Sequence, residues 1–511
     1  MPRDAISLRL NVAANYASQL YTTLIGIILI PLYLRMMGAE AYGLIAFFSM
    51  LQSWFIVLDL GLTLTIARES ARYFGGALAP LDYRRLYRVL SLIFVLVALT
   101  GGGALVALAP MIAERWLHLR QLPVDDIVVA VQIMGLSVAM RWMGGLYRGV
   151  VTGAERLVWL SGFNALIATL RFAAVFASMA LWGYTPKVFF VHQMAVAALE
   201  LGILYLIAGR LVPRPAIGEP PTGWSFAPVA LRLRFSLTIA FTSAVWIFVT
   251  QVDKLILSGV LPLAEYGFFM LAVLVASGIT TATGPIATAL LPRLARLHAE
   301  GNHTEIVRLY HRFAQLVSVV AMSLMVTLAC SAESLLFAWT GDRELTRVAA
   351  PMLRLYAIGN GLLAISAFPF YLQYARGNLR YHLIGNLMLV VFLIPAIIVA
   401  AMKAGGIGAA WVWVAMNALY LVFWVGYVHS KLEPGLHWNW LITNVFVILL
   451  PTFLVGLVLS CLQPELHSRV LEFVRVAAIA IACIVVATMA SPVLRPALLK
   501  AVRSRAIRGP T

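Results

Sequence analysis

The sequence predicts an all-α polytopic membrane protein of about fourteen transmembrane helices, two parallel-related six-helix bundles plus two extra C-terminal helices. Three observations carry this expectation. Of the 511 residues 62% are hydrophobic and only 12% charged, about half the charge of an average soluble chain. The apolar residues fall in repeated blocks of about 20, the length that crosses the hydrocarbon core as a helix. A set of residues recurs at one fixed offset, relating the first six blocks to the next six. Disorder, a secreted disulfide scaffold and a soluble enzyme are excluded by this composition.

The first span covers 11–34; Asn15, Gln19 and Tyr21 make it too polar, and its length too great, for a cleaved signal peptide. The second, 42–66, opens on Tyr42-Gly43 and precedes Arg68 and Arg72, and the third, 89–112, follows Arg84, Arg85 and Arg88. The fourth, 127–147, stands after Asp125 and Asp126, where the positive end of a helix dipole favours carboxylates. Spans five and six, 157–182 and 188–208, complete a bundle assigned to 1–210. A cytoplasmic linker over 211–235 carries Pro213, Pro215, Pro220, Pro221 and Pro228 and is the natural hinge. Spans at 236–258, 266–290, 313–336, 351–372, 383–402 and 407–429 make the second bundle, 236–432. The region 433–511 holds two appended spans, 441–462 and 470–490, and a basic tail with Arg495, Lys500, Arg503, Arg505 and Arg508.

Orientation follows from the basic residues. With the N-terminus in the cytoplasm, cytoplasmic segments hold 25 of the 38 lysines and arginines, opposite loops 8 and spans 5. That bias places both termini in the cytoplasm. It also assigns the net charge of +17 to a bilayer rather than to nucleic acid. The longest external loop, 113–126, and the longest cytoplasmic one, the 27 residues of 209–235, leave no room for a soluble catalytic domain, so no enzyme is expected.

Tyr42-Gly43 recurs as Tyr266-Gly267, an offset of 224 residues, and the same offset relates Arg72 to Arg296, Tyr147 to Tyr371, Gly153 to Gly377 and Arg156 to Arg380. Six spans per repeat is an even number, so both halves enter the membrane in the same direction, about an axis along its normal. Such repeats place a substrate site between the halves and let them rock in alternating access.

Charges inside spans cost on the order of 2.5–3.5 kcal/mol each on insertion scales, so they face a cavity or a partner. Arg171 is near the middle of span five with Asn164 seven residues before it, Gln52 and Asp59 are seven apart in span two, and Gln193 and Glu200 repeat the spacing in span six. Residues seven apart share a helix face to within about 20°. Gln251 and Lys254 add to a polar arc on span seven; Asp253 adjoins Lys254 but points about 100° away. Arg171, Lys254, Arg141 and Arg354 are the candidate cations for an anionic substrate, Arg141 and Arg354 lying nearer span ends. Asp59, Gln52, Asn164, Glu200, Asp253 and Gln251 are the cavity-polar or coupling candidates. Glu472 and Arg475, three apart, read as a local ion pair. Catalytic and metal sites are not expected: Cys330, Cys461 and Cys483 have no paired spacing, and neither do His298 and His303. No cofactor is implied.

The stretch NYASQLYTTLIGIILIPLYLRMMGAEAYGLIAFFSMLQSWFIVLDLGLTLTIARESARYF resembles the opening of the bacterial polysaccharide transporter family, the O-antigen and capsule flippases of the multidrug/oligosaccharidyl-lipid/polysaccharide exporter superfamily. YRGVVTGAERLVWLSGFN and QVDKLILSGVLPLAEYGFFMLA are similar to other stretches of that family. The resemblance implies a flippase that moves an undecaprenyl-pyrophosphate-linked oligosaccharide from the cytoplasmic to the periplasmic leaflet of the bacterial inner membrane. It implies two bundles around a cationic cavity, with the appended helices forming a groove for the lipid tail. Its partners would be membrane lipids, a polysaccharide polymerase and glycosyltransferases. Fourteen spans place the chain nearer the superfamily's fourteen-span members, which include peptidoglycan-precursor flippases. The alternatives are transport of such a cell-wall precursor and cation-coupled export of another amphiphile, in which Asp59 and Glu200 would dominate the site.

Overall fold

The computed structural model describes residues 3–59, 61–215, 221–224, 227–461 and 468–496, and its regular structure is helical throughout. In chain order the helices are α1 (Arg3–Ile28), α2 (Ile30–Met37), α3 (Ala39–Phe55), α4 (Leu62–Phe74), α5 (Pro80–Met111), α6 (Val124–Gly153), α7 (Leu157–Phe172), α8 (Val175–Trp182), α9 (Pro186–Leu211) and α10 (Ala227–Ser258). There follow α11 (Leu263–Ala299), α12 (His303–Cys330), α13 (Ala332–Thr340), α14 (Arg343–Ser366), α15 (Phe368–Ala375), α16 (Arg380–Leu419), α17 (Val425–Leu432), α18 (Leu436–Leu441), α19 (Val447–Cys461) and α20 (Arg469–Ala490). Among the described residues, twelve helical stretches are long and apolar enough to cross a membrane. One of them, Arg380–Leu432, is two helices joined at Ala404 and Gly405, where Gly405 takes the positive φ of 55° that glycine tolerates. Counting that stretch twice and adding the 32-residue α10 gives the fourteen spans expected. The chain is an all-α, multi-pass membrane protein.

Helix starts recur at the sequence offset. Arg3 and Ala227, and Ala39 and Leu263, are separated by it, while Pro80 with His303 and Leu157 with Arg380 depart from it by one residue. Helix α10 therefore begins before the expected 236. Arg232 and Arg234 end the apolar stretch there, and a hydropathy ruler sees only the part of a helix that lies in hydrocarbon. Leu60, residues 216–220 and 225–226, and the tail from 497 on, with Lys500, Arg503, Arg505 and Arg508, lie outside the described residues.

The chain divides by internal packing into two compact units, Met1–Gly267 and Phe268–Thr511. In the first, several expected spans are broken. Pro31 at the start of α2 interrupts span one. Span two, expected as one helix over 42–66, stops at Phe55, passes through a 3-10 turn at Ile56–Asp59 and Gly61 at φ 71°, and resumes as α4. The Asp59 carboxylate accepts from the Thr63 amide at 3.3 Å and from its hydroxyl at 2.5 Å, holding the start of α4. Gln52 and Asp59 thus do not share one continuous helix face; apolar residues flank the break on both sides, so hydropathy could not mark it.

Helix α4 packs on α6 along glycines four residues apart. A Cβ on Gly149 would stand 2.4 Å from Ile66 Cγ2, and one on Gly153 would stand 2.3 Å from the Ala67 carbonyl oxygen. Only glycine allows backbones this close. Arg84, Arg85 and Arg88, at the start of α5, donate to the main-chain carbonyls of Arg214 (3.1 Å), Thr222 (2.9 Å) and Gly223 (3.3 Å). A cluster read only as a topology signal therefore also holds the described part of the linker. The buried carboxylate of Glu40, at the start of α3, accepts from the amides of Arg120 (2.6 Å), Gln121 (2.9 Å) and Leu122 (3.1 Å), fixing the α5–α6 loop.

The second unit is organised on α12, which packs against α14, α19 and α20. Its core gathers Tyr310, Met325, Phe368, Trp440 and Ile448, and the Tyr310 hydroxyl lies 2.7 Å from His429 Nε2. The two appended spans belong to this packing: Gln315 Oε1 on α12 accepts from Ser491 Oγ at 2.7 Å, just past α20.

Candidate functional site

Three helices of the first unit each carry two polar residues seven apart: Arg141 and Arg148 on α6, Asn164 and Arg171 on α7, Gln193 and Glu200 on α9. Seven residues make about two turns and about 10 Å of rise, so each pair lines one face at two heights. The three faces meet and form two layers. In one, Arg141 donates Nη1 to Gln52 Oε1 at 2.8 Å and Nη2 to Gln193 Oε1 at 2.7 Å. Arg171 Nη2 reaches the same Gln52 Oε1 at 3.3 Å, and Gln193 Nε2 donates to the Arg171 carbonyl at 2.8 Å. In the other layer, Arg148 donates to Asn164 Oδ1 and pairs with Glu200 Oε1. Aromatic rings support the guanidiniums, Phe48 at 5.2 Å from Arg141 and Phe172 at 5.4 Å from Arg171.

Three guanidiniums thus face one carboxylate. Among the described residues neither Arg141 nor Arg171 has a carboxylate within 4.0 Å, and the Nε of each is buried without a hydrogen-bond partner. Amide oxygens satisfy N–H groups but do not cancel charge, and an uncompensated charge out of water is costly. The cluster therefore carries an excess positive potential that an anion would relieve. The planar guanidinium fork matches phosphate oxygens two at a time.

Of the residues singled out from sequence, Gln52, Arg141, Asn164, Arg171, Gln193 and Glu200 come together here. Sequence reasoning misses Arg148 because hydropathy ends span four at 147, whereas α6 continues to Gly153. Its position seven residues after Arg141 was the available signal. Asp59 stands apart, accepting from Thr63 at the start of α4, and makes no ion pair with Arg171 among the described residues. Helix geometry points Lys254 and Asp253 apart, yet Lys254 Nζ lies 3.1 Å from Asp253 Oδ1 and also donates to the Thr250 carbonyl. The flexible four-carbon stem curls back along the helix, so Lys254 is neutralised on α10 itself. Gln251 is half-buried on the same helix. Arg354 belongs to the second unit, where it forms an exposed 2.8 Å ion pair with Glu333. His192 bridges Ser178 Oγ at 2.8 Å and the Leu170 carbonyl at 2.9 Å, ligating the break between α7 and α8.

Residues 8–298 match the family model described as polysaccharide biosynthesis protein. The fold is similar to that of the lipid II flippase MurJ in an inward closed conformation: TM-score 0.70, 12% identity, 94% of this chain and 98% of that one covered. It is also similar to an inward-facing multidrug resistance MATE family transporter of the MOP superfamily, with TM-score 0.66, 12% identity, and 83% and 99% covered. The eukaryotic MATE transporter AtDTX14 aligns at TM-score 0.55 and 12% identity, over 84% and 98%. No curated protein matches the chain in sequence.

Proposed function

The chain belongs to the polysaccharide biosynthesis protein family, and on that footing we propose that it is a flippase for an undecaprenyl-pyrophosphate-linked oligosaccharide. It carries that lipid from the cytoplasmic to the periplasmic leaflet of the inner membrane, with both termini in the cytoplasm and two six-helix bundles, 1–210 and 236–432, working by alternating access. The observation that carries this reading is the surplus of guanidinium over carboxylate among Arg141, Arg148, Arg171 and Glu200. A diphosphate entering a poorly hydrated bundle loses most of its water, and fixed arginine donors replace it. The sugar can meet the amide groups of Gln52, Asn164 and Gln193, while the polyprenyl tail stays in lipid.

The carboxylates argue against a cation exporter. Glu200 is bound by Arg148, Asp253 by Lys254, and Asp59 accepts from the Thr63 amide and hydroxyl. The lipid-linked cell-wall precursor remains as a second reading, favoured by the fold shared with the lipid II flippase. Deleting the gene separates the two: loss of surface polysaccharide with normal growth supports the oligosaccharide, and lysis supports the precursor. Arg171→Lys keeps the charge but loses the fork, and is expected to lower surface polysaccharide about tenfold at equal protein level, the cost of one good charge-assisted hydrogen bond. An unchanged amount would remove Arg171 from the site.

Orientation has its own test. Gln121, exposed on the loop held by Glu40, is expected outside. A cysteine at Gln121 should react with an impermeant maleimide on intact cells, and one at Ser504 only after permeabilisation. The reverse pattern would invert the topology.

A further inference from the structure

In the second unit, Arg343, Arg347 and Arg354 fall on one face of α14 within about 40°. With Arg475 of α20 they line a cavity of about 720 Å³ that also contains Glu333 and Glu472. Four guanidiniums face two carboxylates. Glu333 takes Arg354 at 2.8 Å, and Glu472 lies 3.7 Å from Arg475. Arg475 donates Nη2 to the Ser460 carbonyl at 3.0 Å, but its Nε is buried without a hydrogen-bond partner among the described residues. Arg343 rests 5.4 Å over the Phe337 ring, and Arg347 is exposed with no ion pair among the described residues.

This arrangement works against the helix that carries it. Arg343 and Arg347 are like charges four residues apart, which repel, at the end of α14 where the dipole is already positive. Asp342, capping the helix through the Leu345 amide at 3.0 Å, and Glu344 offset only part of that. An anion in the cavity would relieve both. The neighbouring parts of α19 and α20 expose Val458, Val470, Leu471 and Phe473, so the cavity opens beside apolar surface of the kind that faces lipid.

We propose that this cavity is a second binding site, specific for the phosphate of a lipid headgroup, either a phosphodiester of the bilayer or the diphosphate of a lipid-linked substrate. The site does not depend on the flippase reading. The test uses the full-length protein carrying Arg141→Ala and Arg171→Ala, so that the first-unit cluster cannot contribute, in non-ionic detergent. Native mass spectrometry then follows retention of dioctanoyl phosphatidylglycerol, farnesyl diphosphate and phosphate-free dioctanoylglycerol. Both phosphates should be retained and dioctanoylglycerol should not. Arg347→Gln, at an exposed position, should weaken phosphate retention several-fold, and Arg347→Gln with Arg475→Gln about tenfold or more. Tighter retention of farnesyl diphosphate assigns the site to the substrate, and tighter phosphatidylglycerol assigns it to the bilayer. Equal retention of dioctanoylglycerol, or unchanged phosphate retention in Arg343→Gln with Arg347→Gln, overturns the proposal.

Discussion

Arg141→Ala is expected to abolish surface polysaccharide while the protein still folds and inserts at normal level. Arg141 is the guanidinium that joins α3 to α9, through Gln52 at 2.8 Å and Gln193 at 2.7 Å. Were it only interhelical glue, its loss would appear first as lower protein level or lower thermal stability. The energetics point the other way. A charge inside a bundle costs on the order of 2.5–3.5 kcal/mol to insert, whereas an interhelical hydrogen bond in a membrane returns about 0.6 kcal/mol. Removing Arg141 should therefore leave stability level or slightly higher while removing a hydrogen-bond donor to the anion. Polysaccharide on the cell surface, read beside protein level and melting temperature, checks this; preserved export, or a protein that no longer accumulates, would assign Arg141 to structure alone.

Gly153→Val is expected to destroy the first unit's packing. Even a single Cβ there would lie 2.3 Å from the Ala67 carbonyl oxygen and 2.4 Å from Ser70 Cβ, and the Ala67 oxygen is backbone that cannot rotate away. Helix α4 must then move off α6. Overpacking of this kind costs on the order of 1–3 kcal/mol or more, enough to lower the melting temperature of detergent-solubilised protein and its steady-state level. The control is Gly162→Ala, where a Cβ would meet nothing within 4 Å. Equal stability of Gly153→Val and Gly162→Ala would mean that α4 does not sit where it is described.

The spans were legible because burial in hydrocarbon demands about 20 apolar residues whatever their identity. The breaks within them were not. Leu29, Ile56–Asp59 and Ala173–Ala174 lie between apolar stretches, so composition shows no boundary there. Pro31 and the Asp59 to Gly61 segment carry the signal instead, in turn and capping chemistry. The site was half legible. Heptad spacing put Asn164 with Arg171 and Gln193 with Glu200, and the same spacing from Arg141 would have found Arg148 had the helix not been cut at 147. Which faces meet is a matter of packing, and no single-helix pattern carries it. Lys254 illustrates the opposite error: backbone angles separate it from Asp253, but a long side chain ignores them at 3.1 Å. Arg354 reads as a cation of a cavity between the halves from its place in a span, whereas its side chain pairs with Glu333 and lines a cavity of the second unit.

The most direct measurement of anion-dependent flipping places the purified protein in liposomes with a fluorescent oligosaccharide linked to polyprenyl diphosphate, and follows quenching of the outer leaflet by an impermeant reductant. A parallel set carries the same glycan on a phosphate-free polyprenyl carrier. The predicted result is rapid exchange of the diphosphate lipid by the wild-type protein, a rate no faster than protein-free liposomes for the Arg141→Ala, Arg171→Ala variant, and no acceleration of the phosphate-free lipid. Exchange of the diphosphate lipid at the wild-type rate by that double variant would contradict the assignment of the arginine cluster as the site that carries the anion across.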